Sequence, residues 1–142
     1  MSAEQVFSLV NMTAMAGWIL LILAPPRHWA SAIVAGRAIP LLLSGVYMLL
    51  IAAHWGESSG GFGSLTGVAS LFASRWLLLS GWIHYLAFDL FTGSWEVRDA
   101  ESRAISRQLV MPCLGLTFLV GPVGLLSYYA LRSAVLRFRS VS

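Results

Sequence analysis

The sequence predicts an all-α membrane protein, four transmembrane helices in one compact bundle, and three observations carry that reading. Of the 142 residues, 58% are hydrophobic and only 11% charged, too apolar for a soluble domain of this size. Four apolar stretches approach the ~20 residues that a helix needs to cross hydrocarbon. Between them stand prolines, glycines or clustered charges, the residues that end helices. At 15.4 kDa the chain has room for a single membrane domain, residues 1–142.

The first span covers about residues 6–24 and stops at Pro25 and Pro26, which cannot continue a helix. Glu4 replaces the positive n-region of a signal peptide, so the segment is read as a mature span. The second covers about 38–54, with Pro40 in its first turn and Gly56 beyond its end. The Gly- and Ser-rich stretch of residues 56–67 reads as a flexible connection. The third span covers about 76–92, followed by a polar stretch holding Glu96, Arg98, Asp99, Glu101, Arg103 and Arg107. The fourth covers about 109–131, with Gly121 and Gly124 around Pro122 suited to close packing or a kink. The basic tail, 132–142, is expected at the lipid interface.

Four crossings place both termini on one side. All nine basic residues are arginines, and on this topology they divide almost evenly between the two faces. The early loops lean towards termini facing away from the cytoplasm. The arginines form no amphipathic stripe, so nucleic acid is not an expected partner, while membrane lipids are. No HxxxH, HExxH, CxxC, nucleophile elbow or dinucleotide fingerprint occurs, so no metal or cofactor is expected. Cys113 is the only cysteine and reads as a core thiol.

Titratable groups inside apolar runs are the chemical signal. An ionisable side chain near the membrane core costs ~3 kcal/mol even on lenient insertion scales, and such residues usually mark a pathway or site. The third span holds His84 and Asp89. Their five-residue step rotates by about 140°, so a regular helix puts them on different faces. Tyr85, Trp82 and, if the helix continues, Glu96 share the face of Asp89; Ser80, Gly81 and Phe88 share that of His84. Two readings stand for each group: Asp89 pairs with a nearby arginine or serves chemistry, and His84 is a neutral core histidine or a proton carrier. Asn11 lies at mid-depth in a seven-residue stripe with Glu4 and Trp18, as helix glue or a ligand contact. His54 shares a face with Tyr47 at the membrane surface opposite Asp89. Glu96, Asp99 and Glu101 with their arginines form a solvated charge run or hold a cation or headgroup.

The segments WIHYLAFDLFTGSWEVRDA and MPCLGLTFLVGPVGLLSYYALR resemble the third and fourth spans of the abscisic-acid-deficient-four-like family, over about residues 4–132. Plastid members of that family are called neoxanthin synthases. The resemblance implies an isomerisation without redox change: an allylic epoxide opens while a proton leaves the polyene, giving an allene and a tertiary alcohol. It makes His84 and Asp89 candidates for the acid–base groups, with Asp99 at the motif's edge. Trp82, Tyr85, Phe88, Trp95 and Asn11 are the expected lining of an apolar cavity for a lipophilic polyene or other isoprenoid, with interface anchoring the competing role for Trp95. The sequence shows no Ser- and Arg-rich transit peptide, so a bacterial member in the inner (cytoplasmic) membrane is expected, multi-pass, as a homo-oligomer or partner of a larger enzyme. The alternatives are a non-catalytic pigment- or lipid-binding or assembly protein, and a proton or solute pathway using His84, Asp89 and Glu4.

Overall fold

The computed structural model describes residues 1–24 and 30–141. Those residues form helices and connections without strands: α1 (Ala3–Leu23), a π-helical segment (Ala30–Ala38) leading into α2 (Ile39–His54), α3 (Leu65–Ala73), α4 (Arg75–Ser102) and α5 (Arg107–Val141). The expected stop at Pro25 and Pro26 lies outside the described residues, as does Arg27.

Local chemistry starts and ends these helices where the sequence has the residues for it. Ser2 and Gln5 form a reciprocal capping box at the head of α1. At its other end the Arg107 guanidinium donates to the carbonyls of Leu21, Ile22 and Ala24, acceptors the helix leaves free. The stretch expected to be a flexible loop is tied down. The Ser58 hydroxyl donates to the Ser70 carbonyl at 3.0 Å, Gly60 N–H donates to Ser58 Oγ at 3.0 Å, and Ser64 caps α3.

α4 is the axis of the fold and packs against every other α-helix. Leu79, Ile83, Leu86, Leu90, Gly93, Val97 and Ala100 are buried along it at alternating steps of four and three, the spacing of a helix–helix seam. α1 crosses this seam at two glycines. A side-chain carbon at Gly93 would strike the Trp18 ring, and one at Gly17 would strike Leu90. The helix also runs ten residues beyond the expected end at 92, through the charged stretch read as a loop. Glu96 and Ser94 are buried there rather than solvated.

α5 differs most from expectation. It is no straight span: Val120 (φ −145°, ψ 45°) and Gly121 (φ 5°, ψ −76°) leave helical geometry, and the chain reverses. A continuous helix over the 33 residues from Arg107 to Arg139 would be about 50 Å long. Instead Arg139 donates to the carbonyls of Arg103 and Ala104, both at 2.7 Å, beside the start of α5. Residues 107–119 and 122–141 are thus two arms of a helical hairpin. Gly124 lies so close to Thr117 that a side chain would overlap the threonine backbone. Pro122 opens the second arm, where its missing N–H and fixed φ cost nothing.

Among the described residues three helices can cross a membrane by length and composition, Ala3–Leu23, Ile33–Glu57 and Arg107–Arg139. The last of these folds back as described, and the acids and arginines of α4 lower its hydropathy. Outward faces are apolar, with Leu41, Met48, Leu49, Leu119 and Leu126 each more than 60% exposed.

The hairpin overturns the expectation that both termini share one side. Glu4 pairs with Arg75 at 3.1 Å, and His54 stacks on Trp76, so the N-terminus, the end of α2 and the start of α4 lie together. Arg37, Arg98, Arg103, Arg107, Arg132 and Arg139 gather at the opposite end with the C-terminal arm. The near-even arginine division becomes a one-sided one.

Two outcomes are expected. Gly124→Leu forces the arms apart and lowers stability by about 1–3 kcal/mol or more, read as thermal unfolding in detergent; Gly45→Ala, with open space around it, does not destabilise. In cells, reporters fused to the two termini read opposite sides of the membrane, the C-terminal one cytoplasmic with the arginines. Same-side reporters would contradict the hairpin.

Candidate functional site

Three acids project from α4 towards α5: Asp89, Glu96 seven residues on, and Asp99 three further. Steps of seven and three keep them within one side of the helix. Each meets a different part of the hairpin.

Asp99, at the arginine-rich end, meets the second arm. Arg103 Nε lies 2.9 Å from Asp99 Oδ2, the Tyr128 hydroxyl donates to it at 2.8 Å, and Arg132 stands at 3.4 Å. It lies beyond the apolar 76–92 stretch, about 15 Å along the helix from Asp89. Burial pushes its carboxyl up, but the hydrogen bonds from Arg103 and Tyr128, with the Arg132 and Arg103 charges, outweigh that and hold it below the usual carboxylate range. Asp99 therefore ties the second arm of the hairpin to α4.

Glu96 is fully buried and meets the first arm. Thr117 Oγ1 lies 2.9 and 3.1 Å from its two carboxyl oxygens and 3.0 Å from the Cys113 carbonyl. One hydroxyl proton cannot serve both partners. The hydrogen-bond count closes if Glu96 carries a proton of its own, donating to Thr117 while Thr117 donates to Cys113.

Asp89 meets the turn. It is 9% exposed, and its Oδ2 has no hydrogen-bond partner. Its carboxylate occupies the space where a side chain at Gly121 would stand. Tyr85, one helical turn earlier, lies beside this carboxylate, with its hydroxyl donating to the Phe118 carbonyl at 3.2 Å. Asp89 sits midway along α4, so a carboxyl oxygen with no partner is held at the centre of the bundle. An unpaired buried acceptor costs about 1–3 kcal/mol, more if charged, and such groups are kept where chemistry or a ligand uses them.

His84 does not join it. The ring is exposed on the opposite side of α4, stacked on Phe88 at 4.6 Å and 5.6 Å from Tyr47. There it lines a groove of about 290 Å³ with Tyr47, Trp55, Phe62 and Phe72. The five-residue step had predicted different faces, and the two groups lie on them.

Of the other expected lining residues, only Tyr85 reaches Asp89. Trp82 is half-exposed, its indole Nε1–H donating to Asn11 Oδ1 at 3.1 Å, while Asn11 Nδ2 donates to the Phe7 carbonyl at 2.7 Å. This uses Asn11 as a clasp between α1 and α4. Trp95 packs edge-on against Tyr128 at 5.6 Å, holding the second arm. Phe88 is exposed beside His84. His54 is bound to Glu57 at 2.7 Å and lies at the far end. Among the described residues no three of His, Cys, Asp or Glu converge as a metal centre would require.

Glu96 and Thr117 were not singled out as site residues from sequence. The i+7 step from Asp89 was the available signal, but a charge run between apolar stretches reads first as a solvated loop. These features define an all-helical protein, with apolar helices of membrane-crossing length around a buried acidic seam. The chain belongs to the ABA DEFICIENT 4-like family, whose model matches residues 5–128. It is 25% identical to the chloroplastic protein ABA DEFICIENT 4 of Arabidopsis thaliana over 142 residues, 94% of this chain and 63% of that protein. The chain thus spans less than two thirds of this relative's length. No solved structure matches it.

Thr117→Val strands the Glu96 carboxyl and lowers stability by about 1–3 kcal/mol, whereas Thr117→Val with Glu96→Leu recovers most of the loss. Thermal melts of the two variants in detergent check this; additive losses would show that the pair is not coupled.

Proposed function

We propose that this chain is an integral membrane protein that acts on a carotenoid or other isoprenoid by acid–base isomerisation, at the junction of α4 with the α5 turn. Three helices, α1, α2 and α4, cross the bilayer in this reading. The α5 hairpin enters from the arginine-rich side and returns. A bacterial inner membrane, with that side cytoplasmic, is the proposed location.

The observation that carries the reading is the unpartnered Asp89 oxygen at mid-bundle, with the Tyr85 hydroxyl beside it. A base and a donor adjacent in an apolar interior are what proton relocation along a polyene needs. One group removes a proton from carbon while the other protonates the oxygen that leaves carbon. Asp89 acts as the proton acceptor and Tyr85 as the donor nearest it, replacing the His84–Asp89 pairing expected from the motif. The family membership supports the substrate class, and the apolar outward faces support delivery from lipid.

A second reading, non-catalytic binding of a pigment, is favoured by the aromatic groove containing His84. Its stacked rings offer flat apolar faces for a polyene. The two readings separate by mutation. In a carotenoid-producing host, Asp89→Asn lowers product formation by about 10²–10⁴-fold while retaining bound pigment; His84→Ala lowers pigment retention instead. Conversion at the wild-type rate by folded Asp89→Asn protein would sink the acid–base reading.

A further inference from the structure

A separate groove of about 300 Å³ lies between α2 and α4 on the arginine-rich half of the molecule, lined by Arg37, Pro40, Leu41, Ser44, Phe88 and Phe91 among others. Its flank is open: Leu41 is 71% exposed, Phe88 56% and Phe91 50%. The Ser44 hydroxyl is satisfied by the Pro40 carbonyl at 2.8 Å, so the groove's polar demand falls on Arg37 at its head.

Most arginines at this end are held by internal acceptors. Arg103 and Arg132 share Asp99, Arg107 binds the last carbonyls of α1, and Arg139 binds those of Arg103 and Ala104. Arg37 has no such acceptor among the described residues, and Arg98 has a single hydroxyl. Their guanidinium charges act on each other, Arg98 is bonded to the Ser94 hydroxyl, and neither has an ion pair among the described residues. A guanidinium at the head of an apolar groove, with a second like charge acting on it, favours an anion with an apolar chain. A phosphate accepts from guanidinium forks with the geometry a carboxylate or phosphate presents best.

The length of the groove chooses the chain. From Arg37, at the polar boundary, to Ser44, the last residue of that wall to line the groove, the chain rises about 10 Å. That is about a third of a ~30 Å hydrocarbon core and stays within one leaflet. We infer that the groove holds one acyl chain of an anionic phospholipid from the arginine-side leaflet, with its phosphate between Arg37 and Arg98. A membrane-long polyene would overrun a groove of this length. The site does not depend on any acid–base reaction at Asp89.

Native mass spectrometry of the full chain in mild detergent tests this, with phosphatidylglycerol and phosphatidylcholine of identical acyl chains and a C20 isoprenyl phosphate as probes. Wild-type protein is expected to retain phosphatidylglycerol over phosphatidylcholine. Arg37→Gln and Arg98→Gln each lose about tenfold in that retention, while Arg75→Gln, at the opposite end, does not. Ser44→Trp, filling the groove, loses it with both arginines intact. Equal retention of the two phospholipids overturns the inference, as does unchanged retention in both Gln variants. Stronger retention of the isoprenyl phosphate overturns the assignment to a bilayer phospholipid. Should a variant not fold, the wild-type comparison decides: phosphatidylglycerol raises its melting temperature above that in phosphatidylcholine, or the inference fails.

Discussion

A carboxyl group inside an apolar bundle must be met by donors or used, and α4 carries three on one side. The rest of the C-terminal half is arranged around that demand. The first arm of α5 supplies Thr117 to Glu96, the second supplies Tyr128 and Arg132 to Asp99, and the turn between them lies on Asp89. A straight α5 would pass the acidic side once. Folding back lets one segment meet it at several levels, which is why a stretch that composition alone reads as a single span forms a hairpin. Gly121, Pro122 and Gly124 make the reversal possible, two by lacking a side chain where atoms crowd and one by opening a helix.

The elements read most directly from sequence are those whose signal is local. α1 and α2 begin and end within a few residues of expectation, because caps, prolines and hydropathy act over a single turn. The placement of His84 and Asp89 on different faces follows from 3.6 residues per turn alone, and the structure keeps it. Asn11 behaves as helix glue for an equally local reason, a mid-depth amide that needs partners nearby. What sequence could not supply was the partner. A hydropathy window scores Glu96 and Asp99 as water-seeking because it cannot see Thr117, Tyr128 or Arg132, 21 to 33 residues away. The loop expected after residue 92 and the straight fourth span were one misjudgement in two places: without the hairpin the acids have no partners, and without the acids the hairpin has no reason to fold back.

That correction changes the electrostatics of the whole molecule. With a straight last helix the arginines of the tail would balance those of the loops, and orientation would be weakly set. With the hairpin, the tail joins the loops, and Arg75, paired with Glu4, is left facing a nearly neutral end. The asymmetry also organises the two sides of α4. Its α5 side is polar, enclosed and satisfied except at one atom. Its α2 side is apolar, open to lipid and charged only at the head, where Arg37 lies and the charge of Arg98 is felt.

The exception on the enclosed side is the informative one. Asp99 and Glu96 show that this fold can satisfy a carboxyl when it places a hydroxyl or guanidinium opposite; nothing about α4 prevents it. At Asp89 the position opposite is occupied by Gly121, which has no side-chain group to offer, and the neighbouring Tyr85 hydroxyl donates to the Phe118 carbonyl at the end of the first arm. A Ser or Asn at 121 would collide with the carboxylate, so the glycine and the free oxygen are one feature: the turn fits only by leaving Asp89 Oδ2 without a partner. Natural sequences agree with their fold at most levels and break that agreement chiefly at functional sites. Here the break falls at mid-bundle, on the most costly kind of group to leave unpaired, and beside a hydroxyl able to share a proton.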